Sequence, residues 1–238
     1  MLFSALKSRR YRRYWFGSMG TVGASQLMLM AQGWLIFELS GSPMDLGVLG
    51  AAVSGPAIIV LLFGGVLADR FDRRVLLMTT SLITAVLLLV QAFLDYSGVV
   101  EVWHVLVLGC VIGIVTGFEW PVRQALFAKL ITPDQMMSAV SLNSILWQGS
   151  RMILPALAGV LIAAAGTSVV FALGALGFVG MFFTLVGMQV ERQAAATGGT
   201  GQQFAEGIRF IFTNRTFLVL IPLTWAWMFL GFSFNQLM

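Results

Sequence analysis

The chain has 238 residues, 58% of them hydrophobic and only 10% charged, and its mean hydropathy is +0.91. A soluble domain carries about a quarter of its residues as charges, so this composition excludes a soluble fold and specifies an integral membrane protein. The net charge of +4 and pI near 9.8 would suggest nucleic acid in a soluble chain, but membrane topology accounts for them more simply; the single cysteine, Cys110, excludes an intrachain disulfide and a cysteine-based metal cluster.

Lys7, Arg9, Arg10, Arg12 and Arg13 precede an uncharged run from Tyr14 to Phe37. A secretory signal has an apolar core of roughly 7 to 15 residues, so this longer run is the first predicted membrane helix. Gly17, Gly20, Gly23 and Ala24 give it a small-residue face of the kind that lets backbones approach in lipid. Gln26 and Gln32 are its polar exceptions; each either hydrogen-bonds a neighbouring helix or lines a substrate path. Leu46 to Ala68 and Val75 to Leu94 are the next uncharged runs, each matching the ~20 residues that span hydrocarbon. The earlier of them is dense in glycine, with Gly47, Gly50, Gly55, Gly64 and Gly65 around Pro56, which suits tight packing or bending. The charges of Asp69, Arg70, Asp72, Arg73 and Arg74 between the two runs predict a tight turn at the membrane surface.

A short loop with Asp95 and Glu101 leads to helix four, Val102 to Phe118, where His104 beside Trp103 reads as an interfacial side chain. Pro121 is expected to stop that helix, leaving an amphipathic connector as far as Pro133. Helix five, Met136 to Ala165, carries one charge, Arg151. An arginine midway along a membrane helix costs at least ~2.5 kcal/mol on insertion scales, so it should face the bundle interior. Asn143, Trp147 and Pro155 fall near that face at four-residue steps, and together they define a candidate substrate pathway; the alternative is an arginine satisfied by carbonyls or a distant acid. Helix six follows from Ser168 to Val190.

Residues 191–203 are a polar, glycine-rich linker. Phe204, Ile208, Ile211 and Phe212 then predict a short interfacial helix, and Thr216 to Met238 begins a seventh span. The expected organisation is an all-α membrane protein: a six-helix bundle over 1–190, a linker over 191–203, and the start of a second, missing C-terminal bundle over 204–238. Six spans put every Lys and Arg except Arg151 on one side, which predicts a cytoplasmic N-terminus.

Gly65, Asp69, Arg70, Arg73 and Arg74 match the loop 2-3 signature of the major facilitator superfamily, Gly-x-x-x-Asp-Arg-x-Gly-Arg-Arg, with Asp72 at the second glycine. The chain resembles that superfamily throughout. The segments Ala68 to Arg74, Phe118 to Leu126 and Ala139 to Ser144 resemble its bacterial branch of enterobactin-type exporters. The resemblance implies two six-helix bundles, each of two three-helix repeats, rocking about a midplane site in a bacterial inner membrane. It implies a latch from Gly65, Asp69, Arg70, Arg73, Arg74 and Glu119, and a small-molecule substrate exported against protons. Pro155 and Gly159 match part of the exporters' helix-five packing motif, whereas no arginine lies between Val105 and Phe118, where the superfamily has its helix-four arginine. No enzyme, metal site or cofactor is implied. Import or facilitated passage of another solute, and a non-transporting fragment, stand as the alternatives.

Overall fold

The computed structural model describes residues 3–70, 72–188, 213–214, 218–220 and 222–224, with the side chains of 62–70 outside the description. The linker and interfacial helix expected over 191–212 and most of the seventh span therefore lie outside it. Met1–Ala194 and Ala195–Met238 are separate compact units. In the second, the described backbone is helical at 218–220 and 222–224, and the Thr224 hydroxyl donates to the Leu220 carbonyl.

The first unit holds six long helices: α1 (Arg9–Ser40), α2 (Pro43–Arg70), α3 (Arg73–Tyr96), α4 (Val102–Lys129), α5 (Met136–Ala165) and α6 (Thr167–Val186). No strand occurs among the described residues. The helices α2 to α6 are long and apolar enough to cross a membrane. Although α1 is long enough, it is less apolar, because its buried face carries Ser18, Thr21 and Gln32. Its neighbours α6, α5, α2 and α4 cover that face.

Most of the termini are fixed by identifiable groups. Gly41, at φ +64, ends α1 in the left-handed conformation that favours glycine, and Gly166, at φ +84, separates α5 from α6. Asp72, standing where the superfamily signature has glycine, caps α3 by accepting from the Arg74 and Val75 amides. His104 belongs to the cap of α4: its Nδ1 accepts from the Glu101 amide at 3.1 Å, and its ring stacks on Trp103.

Pro121 does not stop α4, which runs unbroken to Lys129. Proline forfeits the bond to the carbonyl four residues earlier, here Gly117, but membrane helices tolerate this where neighbouring elements support the backbone. The Tyr14 hydroxyl of α1 donates to the Arg123 carbonyl at 3.4 Å, two residues past the proline.

Sequence neighbours are not the main packing partners. Helix α2 barely touches α3 but lies along α4, while α6 packs on α1 and α3. Exchanging α1 with α4, α2 with α5 and α3 with α6 turns the α2–α4 pairing into α5–α1 and the α1–α6 pairing into α4–α3, all of which occur. The closest approach is at Gly113 of α4. A methyl group on Gly113 would lie 2.1 Å from the Val53 carbonyl oxygen, and one on Gly117 would lie 2.7 Å from that of Ala57. Of the glycines expected to let α2 pack tightly or bend, Gly47, Gly50 and Gly55 meet nothing within 4 Å, while Gly64 and Gly65 lie outside the described side chains. On α1 the small-residue face does pack closely, with Gly20 against Gly177 of α6.

Candidate functional site

Ser18, Thr21 and Ser25 recur at helical spacing on α1, and Thr116, Glu119 and Arg123 do so on α4. Where the two stripes face each other they form a polar knot inside an apolar bundle. Arg123 donates through Nη1 to Ser18 Oγ at 3.2 Å and through Nη2 to Thr21 Oγ1 at 3.0 Å. The same guanidinium pairs with Glu119 Oε1 one turn back on its own helix. All four side chains are buried. Glu119 Oε2 is buried too, and it has no hydrogen-bond partner.

A half-open cavity of about 80 Å³ adjoins the knot, lined by Thr21, Val22 and Ser25 of α1, Thr116, Glu119, Trp120 and Arg123 of α4, and Trp147 of α5. Trp120 and Trp147 meet edge to face, their ring centroids 5.4 Å apart, and wall one side. Its floor is charged and bears hydroxyls; its wall is flat and apolar. At that size the recess has room for a small polar or flat apolar group rather than a whole drug-sized molecule.

The residues expected from sequence to matter divide among several places. Trp147 reaches the cavity, while Asn143 is half-buried outside its lining. Arg151 does not face the interior of this unit: it is exposed. On a 3.6-residue period it falls opposite Leu142, which is buried. Gln32 donates to Gln91 Oε1 of α3 at 3.0 Å, both side chains buried, so of the two readings it takes the helix-to-helix bond. Gln26 is half-buried on α1, outside the cavity lining. Pro155 lies within a continuous α5, and Gly159 packs on nothing within 4 Å, which leaves the helix-five motif without a close contact in this unit.

Of the latch set, Gly65, Asp69 and Arg70 lie outside the described side chains. Arg73 Nη1 donates to the Ala125 carbonyl of α4 at 3.4 Å. Arg74 spans to α6, donating to the Leu185 and Val186 carbonyls at 2.7 and 2.8 Å, where a cation also meets the negative end of the helix dipole. Glu119, grouped with the latch on sequence grounds, instead pairs with Arg123.

Sequence reasoning missed Arg123 itself because Pro121 was read as a helix end. The available signal was the four-residue step from Glu119 to Arg123, which survives only if the helix continues.

A family model described as transmembrane secretion effector matches residues 2–233. The chain belongs to this family of major facilitator superfamily transporters. It is 29% identical over 167 residues to YfiS of Bacillus subtilis, an uncharacterized MFS-type transporter, covering 66% of this chain and 39% of that one. It is 25% identical over 238 residues to macrolide efflux protein A of Streptococcus pyogenes, covering 96% of this chain and 57% of that one. The staphyloferrin A transporter of Staphylococcus aureus is 27% identical over 135 residues, 55% of this chain and 33% of that one. The chain thus spans 39% and 57% of the lengths of the first two relatives. No solved structure matches it significantly. The family is one of bacterial multi-pass membrane transporters, not of enzymes.

Proposed function

We propose that the chain supplies the first bundle of a proton-coupled exporter of a small amphipathic molecule, working by alternating access in a bacterial inner membrane. The observation that carries this reading is the recess between α1, α4 and α5, where a buried ion pair, hydroxyls and two tryptophans meet. Ionisable groups inside a membrane are expensive and are characteristically kept where a solute or ion passes. The printed functions of two relatives, macrolide efflux and staphyloferrin A transport, support a cargo of the drug or siderophore type.

In this reading Glu119 carries the coupling proton on its uncommitted oxygen. Protonation removes the charge paired with Arg123 and leaves a buried cation, which must then be held by Ser18, Thr21, water or an anionic group of the cargo. The recess thereby has two electrostatic states, which two rocking bundles convert into two openings. Asp69, Arg70, Arg73 and Arg74 act as the latch between them, with contributions of about 0.3–2 kcal/mol each. Gly65, near the end of α2, belongs to the same latch. Asn143, Arg151 and Gln26 belong to the passage in this reading. The gathering of basic residues at one end supports a cytoplasmic N-terminus.

Everted membrane vesicles containing the full-length protein test the reading. An imposed proton gradient should drive accumulation of a fluorescent amphipathic substrate. Glu119→Gln should abolish that accumulation while leaving substrate exchange without a gradient intact. Normal gradient-driven transport by the variant removes Glu119 from coupling, and indifference of the wild type to the gradient removes antiport.

A further inference from the structure

Where α1 and α6 meet at the arginine-rich end of the bundle, two cavities adjoin and share Arg13 and Gly187. The one at the membrane surface, about 430 Å³, is lined by Arg9, Arg10 and Arg13 together with Gly187 and Met188. The other, about 460 Å³, runs back along the seam beside Phe16, Gly180 and Phe183. Phe16 and Phe183 are 59% and 66% exposed on α1 and α6.

Arg13 is fixed in place by its bond to the Gly187 carbonyl at 3.1 Å. Arg74 and Arg13 between them serve the Leu185, Val186 and Gly187 carbonyls at the end of α6. Arg9 and Arg10 are exposed and have no carboxylate partner among the described residues. A cluster of like charges one turn above an open apolar groove calls for a ligand with an anionic head and a hydrocarbon tail. We propose that this seam binds an anionic phospholipid of the phosphatidylglycerol class, its phosphate among Arg9, Arg10 and Arg13 and an acyl chain beside Phe16 and Phe183. Basic pockets between membrane helices suit such headgroups, and an apolar groove alone would not distinguish them from zwitterionic lipid. A soluble phosphate would use the upper cavity only; the lower one makes the difference.

The test is lipid binding by the full-length protein in nanodiscs or detergent, read by native mass spectrometry with phosphatidylglycerol against phosphatidylcholine. Wild type should retain phosphatidylglycerol preferentially, and Arg9→Gln/Arg10→Gln/Arg13→Gln should lower its affinity about a hundredfold, at roughly fivefold per arginine. The variant Lys7→Gln/Arg12→Gln, which removes charge from the same end but not from the cavity lining, should bind within about threefold of wild type. Gly180→Leu keeps every charge. A methyl group there meets nothing within 4 Å, so the variant should fold normally while its larger side chain obstructs the groove and displaces the lipid. Equal losses in the Lys7/Arg12 variant would reduce the effect to diffuse surface charge. Displacement of the lipid by millimolar inorganic phosphate, or wild-type binding by Gly180→Leu, would overturn the lipid site.

Discussion

Glu119 and Arg123 sit one turn apart on α4 and form a buried ion pair in which the arginine, not the acid, reaches across to α1. Arg123 has three side-chain partners; Glu119 has one, and its other oxygen is unpaired. The two ends of the pair are therefore not equivalent.

Arg123→Leu should destabilise the protein by about 3–5 kcal/mol, because it leaves a buried carboxylate uncompensated. Glu119→Gln should cost less, since Ser18, Thr21 and the amide oxygen still hold the guanidinium. Combining Glu119→Gln with Arg123→Leu should recover part of the loss. Thermal unfolding of the three variants in detergent measures the order, and equal losses in the two single variants would contradict the asymmetry.

Gly113→Ala should be strongly destabilising, at or beyond the ~1–3 kcal/mol usual for overpacking, because the obstacle is a backbone carbonyl that cannot rotate away. Gly50→Ala, on the open side of α2, should be neutral or stabilising by up to about 1 kcal/mol. The same unfolding measurement compares them. Similar melting temperatures would show that α2 and α4 can separate at little cost.

The number and order of the first six helices were legible because each uncharged run is long and bounded by charges or glycine. Their partners were not. Glycine density pointed to α2, whereas the four-residue steps from Gly109 through Gly113 to Gly117 on α4 make the close contact, since packing depends on which face the glycines share rather than on their number. The candidate site was half legible for a similar reason. Trp147 emerged from its spacing, but proline inside a membrane helix is tolerated where the surroundings support the backbone, so Pro121 alone does not say whether α4 ends there. Arg151 was assigned inward on energetic grounds that hold for a whole assembly, and the helix face it occupies is uncovered within this unit.

Asp69→Asn should leave insertion and expression intact but slow transport, because it removes a charge expected to act in one state of the latch rather than to fix topology. Initial rates per quantity of protein in the membrane decide the matter. Wild-type rates would reduce the acid to a topological role.

A cysteine at Ser42 or Ser97 should react with an impermeant thiol reagent added outside the cell, and one at Gly199 only after permeabilisation. Ser97 is preferred to Gly98, whose φ of +70 disfavours any side chain. Cys110 should first be replaced by alanine, since it is the native thiol. Labelling at Gly199 in intact cells would reverse the orientation.

Arg151 should prove dispensable for folding of the six-helix unit and necessary for transport. It is exposed on α5, and contact with lipid at that depth would cost at least ~2.5 kcal/mol, so its retention calls for water, a cargo group or another helix on that side. Arg151→Leu should therefore insert and melt like wild type yet transport poorly. Arg151→Lys should also impair transport if the guanidinium contacts cargo, because a planar five-donor fork is replaced by a point charge. Full activity in the lysine variant with loss in the leucine variant would assign a purely electrostatic role. Full activity in both would make Arg151 a passenger, and a lowered melting temperature in both would make it a structural tie to whatever covers α5.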